Sequence, residues 1–201
     1  MCCRYYVNAG LYEEVKDVTG DDAGASLFRE GDIRPSGTAP VILAQSGHLQ
    51  LSGMRWGLPL PDPVCPSGSV SRGKLLINAR AETLLQKPVF APLARSFRCI
   101  IPAGLFYEWN ARKEKVSFSP QEGSLLCMAG IYRPGPEGLR FVIITTVAND
   151  SMRPVHDRMP LIFPKDMAAS WIRRADKVED MLKQKSPELK RMQEYQQLSL
   201  F

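Results

Sequence analysis

The 201-residue sequence lacks any apolar run long enough to cross a bilayer; stretches such as Phe141 to Ile144 fall far short of the roughly 20 residues a spanning helix needs. It has no C-x-x-C pair and two histidines, His48 and His156, too little for a tetrahedral zinc site. Adjacent Cys2 and Cys3 point to opposite sides of an extended chain, which further hinders joint ligation. No internal repeat and no sustained heptad occur, so solenoids and coiled coils are excluded. The start, MCCRYY, lacks the charged and apolar regions of a secretory signal, and five cysteines cannot all pair. Both features point to a reducing, cytoplasmic setting.

What is present suits one folded domain with a real core, since 44% of residues are hydrophobic and 23% charged. Sixteen prolines and fifteen glycines suggest many turns between short strands rather than a helical bundle. The net charge of +5 favours an acidic partner without identifying one.

Along the chain, CRYYV reads as a strand, and Leu11, Val15 and Val18 recur at helical spacing before Gly20 stops the helix. Short strands separated by Pro, Ser and Gly follow from Ile33 to Gly57, then a long surface loop from Pro59 to Gly73. A strand LLIN precedes an expected helix over ARAETLLQ, with further strands around FRCII, LFYEW, LLCMAGIY and LRFVIITT. The charged segment from Asp166 to Gln193, broken at Ser186 and Pro187, reads as one or two surface helices. This mixed order predicts a single α+β domain over residues 1–193, followed by a tail at 194–201.

Cys2 carries the sharpest chemical signal. Removing Met1 leaves an α-amine and a thiol on one residue, a pair that no internal cysteine offers. The amine has a reference pKa of about 8, so part of it is neutral near pH 7, and the thiol becomes nucleophilic beside a base. Such a residue condenses with an aldehyde to an imine and closes through sulfur to a five-membered thiazolidine. The competing reading is a cysteine that merely follows the initiator methionine.

Six further strings decide between them: MCCR at 1–4, RWGL at 55–58, INARAET at 77–83, RCIIPAGLFYEW at 98–109, TTVAND at 145–150 and HDRMPLI at 156–162. Together and in this order they resemble the SOS response-associated peptidase family, whose members include proteins that crosslink to abasic sites in single-stranded DNA. The resemblance implies a strongly bent, barrel-like mixed sheet flanked by short helices. It implies Cys2 as nucleophile, Asn78 as an amide that donates to an oxyanion or accepts from the α-amine, Glu108 as acid and base, and His156 as proton shuttle to the sugar oxygen. Met1 release assisted by Glu108 would be an autoproteolytic, peptidase-like activity, with lyase-type chemistry possible at the same aldehyde. No cofactor or metal is called for. Against these roles stand a helix-capping Asn78, a solvated Glu108 and a structural His156.

The same comparison implies a DNA-binding set of Arg4, Arg55, Trp56, Arg80, Arg158 and Met159, with Arg34 and Arg153 as weaker loop candidates. Arginine forks suit phosphates and an exposed aromatic stacks on an unpaired base, whereas a core Trp56 and internally paired Arg80 and Arg158 are the alternatives. One departure is Cys3, where the family commonly has glycine. In the tail, Gln197, Leu198, Leu200 and Phe201 of QLSLF resemble the peptide by which bacterial repair proteins dock on the sliding clamp, implying a bacterial, nucleoid-associated protein. The resulting expectation is an abasic-site sensor that shields the lesion covalently; its rivals are an N-terminal cysteine hydrolase acting on a separate amide and a non-catalytic single-strand binder.

Overall fold

The computed structural model describes residues 2–20, 24–60 and 75–193. Most of the loop expected from Pro59 to Gly73, and the tail with its QLSLF peptide, lie outside these residues. Among the described residues no helix is long and apolar enough to cross a membrane.

Strand β1 (Tyr5–Val7) leads into helix α1 (Leu11–Thr19). Leu11 and Val15 bury the apolar stripe of α1, and Gly20 ends it at φ 69°, its N–H capping the Lys16 carbonyl at 2.7 Å. Next come β2 (Gly31–Ile33), β3 (Thr38–Gln45), β4 (His48–Trp56), β5 (Leu58–Pro59), β6 (Leu75–Leu76) and β7 (Asn78–Arg80). Helix α2 (Ala91–Ser96) precedes β8 (Arg98–Ala103), β9 (Leu105–Trp109), β10 (Lys115–Pro120), β11 (Leu126–Arg133) and β12 (Arg140–Val147). The described chain ends with β13 (Arg158–Pro160), β14 (Ile162–Phe163), α3 (Lys165–Arg173), α4 (Val178–Leu182) and β15 (Leu189–Gln193).

Strands β12, β4, β3, β8 and β11 form a ring, closed because β11 pairs with both β8 and β12. The β12–β4 pairing is parallel and the others in the ring are antiparallel, so the sheet is mixed and strongly bent, the α+β architecture expected. Closure covers edges that would otherwise expose unpaired backbone. An antiparallel sheet in the order β15-β10-β9-β1-β2 completes the domain and carries the start of the chain.

Every side chain of β8 is buried, and α3 packs against that strand. Arg98, 6% exposed, donates to the carbonyls of Ala94, Arg95, Trp171 and Ile172, joining the C-terminal turns of α2 and α3. A cation there meets the negative ends of both helix dipoles, so a charge without a carboxylate partner is tolerated in the interior.

Two expected elements differ. ARAETLLQ is not a helix: Arg80 stays extended at φ −82°, ψ 127°, and only a 3₁₀ turn, Ala81–Thr83, follows. Pro88 disfavours helical backbone at Lys87, so propagation stops and the helix forms later as α2. The C-terminal segment forms two surface helices, α3 and α4, as expected, exposing their charged residues and burying an apolar stripe of Trp171, Ile172, Met181 and Leu182. Its last stretch pairs as β15 along β10, Val116 opposite Gln193 to Pro120 opposite Leu189, because an open strand edge outweighs weak helical propensity after Pro187.

Candidate active site

The site is assembled from the chain start and three strands. β1 lies between β2 and β9, with Tyr5 opposite Phe106 and Tyr6 opposite Leu105. The Tyr107 N–H donates to the Arg4 carbonyl at 3.0 Å. Continued beyond the start of β1, this register brings Cys3, which is only partly buried, across from Glu108. Tyr5 is fully buried against Trp56, ring centroids 5.2 Å apart, so the first strand is anchored in the core rather than trailing from it.

Cys2 has no solvent exposure, and the Asn78 Nδ2 donates to its carbonyl at 2.8 Å. Asn78 opens β7, held parallel to β12 with Asn78 opposite Ile143. The amide therefore clamps the backbone of Cys2 and is not a helix cap. Its Oδ1 is buried and accepts no hydrogen bond among the described residues, leaving an acceptor beside the chain terminus. Glu108 is 3% exposed, an inward carboxylate and not a solvated one. Burial, and then the Glu108 charge, push the Cys2 thiol far above the ordinary cysteine range; the same two causes raise Cys3. The thiol therefore rests neutral, and a carboxylate close enough to oppose its ionisation is also a natural acceptor for its proton.

His156 lies just before β13, which pairs with β12 at Thr145 on the side opposite β7. Its Nδ1 accepts the Arg158 N–H at 2.9 Å and also lies 2.9 Å from Asp157 Oδ1. One ring nitrogen serves one of these partners at a time. Either contact fixes the ring beside the start of β13.

The DNA-binding set divides. Trp56 is wholly buried, stacked on Phe141 at an interplanar angle of 7°, with Nε1 donating to the Ile77 carbonyl at 2.8 Å. It is a core residue, and the expectation that it stacks on a base is corrected. Gly57 permits that placement by turning the strand at φ 112°. Met159 is also wholly buried, its sulfur accepting the Asn149 N–H at 3.4 Å, so no side-chain surface is left for DNA. Arg4 bonds Asp32 through Nε at 2.9 Å and lies over the Tyr107 ring. Arg158 pairs with Glu82 and donates to the Thr145 carbonyl at 2.7 Å. Arg55 is half exposed, 3.8 Å from Glu137, and Arg153 pairs with exposed Asp150. Arg34 is exposed, as is Arg80, whose side chain makes no hydrogen bond or ion pair among the described residues while its backbone pairs with β12.

Residues 1–198 match the sequence model of SOS response associated peptidase. The chain belongs to the SOS response associated peptidase family. It is 33% identical over 187 residues to the abasic site processing protein YoaM of Bacillus subtilis, covering 86% of this chain and 79% of that one. It is 29% identical over 200 residues to the abasic site processing protein HMCES of Gallus gallus, covering 78% and 59% of the two chains. A solved Bacteroides thetaiotaomicron protein, 21% identical, superposes with a TM-score of 0.77 over 97% of this chain and 93% of that one, so the two share a fold.

Within this SOS response associated peptidase fold, several partners of the site residues are not legible in the sequence. Glu82 sits in a segment with helical composition, Asp32 in a short strand with no motif, and only the fold brings Glu108 near the chain start. Nothing local signals that Glu82 meets Arg158, a residue 76 positions away.

Proposed function

We propose that this protein processes abasic sites in DNA by capturing them covalently through Cys2 once Met1 is removed. The reading is supported above all by the buried arrangement of Cys2, with Asn78 on its carbonyl and Glu108 acting on its thiol, and by the names of the relatives. The α-amine of Cys2 attacks C1 of the ring-opened sugar and water leaves, giving an imine. The Cys2 sulfur then adds to the same carbon while Glu108 accepts its proton and passes it to the nitrogen, closing the thiazolidine. Asn78 fixes the Cys2 backbone, and its Oδ1 accepts from the new amine. His156 moves the proton that opens and recloses the sugar. Run backwards, the same groups release the aldehyde.

Release of Met1 is hydrolysis of the Met1–Cys2 peptide bond, in which Glu108 takes a proton from the attacking water and returns one to the departing Cys2 amine. Single-stranded DNA is held by Arg80 and Arg55, which face solvent, with Arg4 and Arg158 joining when phosphates displace Asp32 and Glu82. The QLSLF tail brings the protein to replication gaps on the sliding clamp, so deleting Leu198 to Phe201 abolishes clamp binding and leaves DNA capture intact. Loss of capture on that deletion would place the tail in the core.

The deciding experiment incubates Met1-processed protein with a single-stranded oligonucleotide carrying an abasic site and resolves the products on a denaturing gel. A shifted band that disappears in Cys2→Ala supports capture. Amide hydrolysis without a band would overturn it in favour of a cysteine hydrolase.

A further inference from the structure

Cys3 adds a second thiol one peptide unit from Cys2, partly buried, just before β1 and within reach of the Glu108 charge. It is more than a neighbour by sequence: the pairing of Arg4 with Tyr107, continued by one residue, brings Cys3 across from Glu108, and the Glu108 charge acts on the Cys2 thiol as well, so one carboxylate lies near both thiols. The abasic aldehyde has a chemistry that uses two nucleophiles. Its C3 carries a phosphate ester β to the C1 carbonyl, and elimination of that phosphate breaks the strand and leaves a C2=C3 bond conjugated with C1. The product is an enal, electrophilic at C1 and at C3, two bonds apart.

We propose that Cys3 is a second nucleophile that adds to C3 of such a strand-terminal enal while Cys2 holds C1. This inference rests on the aldehyde-capture reading above and extends it to broken ends. The Cys2 amine condenses with C1, water leaves, and a conjugated iminium forms. The Cys3 sulfur bonds to C3 as its S–H proton passes to Glu108, and the C2=C3 pair shifts to make an enamine. Glu108 returns that proton to C2, restoring the iminium, and the Cys2 sulfur closes on C1 as its own S–H proton passes to Glu108, balancing the proton taken up when the iminium formed. The net change at Cys3 is addition of S–H across a double bond, with no oxidant or reductant. Attachment of Cys2 first makes the second addition intramolecular, which offsets the low nucleophilicity of a neutral thiol. An intact abasic site is saturated at C2 and C3, so it offers Cys3 nothing to attack.

The test compares two oligonucleotides, one with an internal abasic site and one ending in the 3′ enal, each incubated with Met1-processed wild-type protein. The adducts are alkylated with iodoacetamide, digested and mapped by tandem mass spectrometry. With the abasic site, the sugar is expected on Cys2 alone and Cys3 is alkylated. With the enal, Cys3 alkylation is lost and the sugar remnant bridges Cys2 and Cys3. Cys3→Ala keeps the abasic-site adduct and attaches the enal through Cys2 only. Enal adducts in which wild-type Cys3 is still alkylated, or carries no sugar remnant, overturn the proposal while leaving aldehyde capture standing. Absence of any adduct, or adducts that survive Cys2→Ala, overturns the capture reading itself.

Discussion

Arg158 holds Glu82 with both terminal guanidinium nitrogens, at 2.8 and 2.9 Å, in a bidentate pair that joins β13 to the turn after β7. Burial alone would raise the Glu82 carboxyl, but the Arg158 bonds outweigh it and the net shift is downward. A guanidinium in this state is not available to a phosphate, so DNA must compete with a carboxylate for it.

Glu82→Gln is therefore expected to tighten binding of intact single-stranded DNA and to steepen its salt dependence by about 0.7, the contribution of one phosphate contact on a single strand. Fluorescence anisotropy titrations at several salt concentrations measure both. An unchanged slope would confine Arg158 to a structural role. The sign on stability is opposite: a lowered carboxyl stabilises the fold above its unfolded value of about 4.3, and that stabilisation fades as pH falls through the folded value. Acid unfolding of the variant should begin with a shallower slope.

Arg80 is exposed, with no side-chain partner among the described residues, so Arg80→Ala should weaken binding and reduce the salt slope by about 0.7. Its exposure predicts a stability change within about 0.5 kcal/mol. Urea unfolding beside the anisotropy titration separates the two effects; lost stability with unchanged binding would contradict the assignment.

Trp56→Ala should cost about 3–5 kcal/mol of stability, since it removes a wholly buried ring packed on Tyr5 and Phe141. The loss is read from the urea midpoint without DNA. A variant as stable as wild type would return Trp56 to the surface.

Glu108→Gln keeps the shape of the side chain and removes its proton exchange, so adduct formation and Met1 release should slow by roughly 100-fold or more while circular dichroism is unchanged. His156→Ala should slow capture of a ring-closed abasic sugar and leave capture of a simple open aldehyde nearly unaffected. Equal slowing with both substrates would point to damage around β13 instead.

Alkaline pH should destabilise the protein. Burial raises the thiols of Cys2, Cys99 and Cys127 and the Tyr5 hydroxyl, with Cys127 pushed up to about 12. Above about pH 8.5 an unfolded thiol loses its proton while the folded one keeps it, so stability falls as pH rises, by about 1.4 kcal/mol per pH unit per thiol. For Cys127 the decline ends near its folded value. Urea midpoints between pH 8 and 10 measure it, and Cys127→Ala should flatten the curve; a pH-independent midpoint would mean that these thiols ionise in the fold.

By itself the sequence determined whatever depends on local pattern or on residue chemistry. The stripe Leu11, Val15 and Val18 and the stop at Gly20 marked α1, because helical periodicity and a left-handed cap are local properties. The six ordered strings marked the family, and Cys2 stood out because an amine and a thiol on one terminal residue is a property of chain position. Only the tertiary structure decided which arginines are engaged and which aromatics are hidden. Arg4, Arg80 and Arg158 look alike in sequence, yet one meets Asp32, one faces solvent and one meets Glu82, through partners set by strand pairing across distant segments. ARAETLLQ had the composition of a helix, but an extended Arg80 beside β12 and Pro88 downstream outweighed it. The same holds for LKRMQ, which became a strand because β10 offered an edge. Local propensities differ by only about 1 kcal/mol per residue, and burial and pairing in a closed sheet exceed that wherever the two conflict.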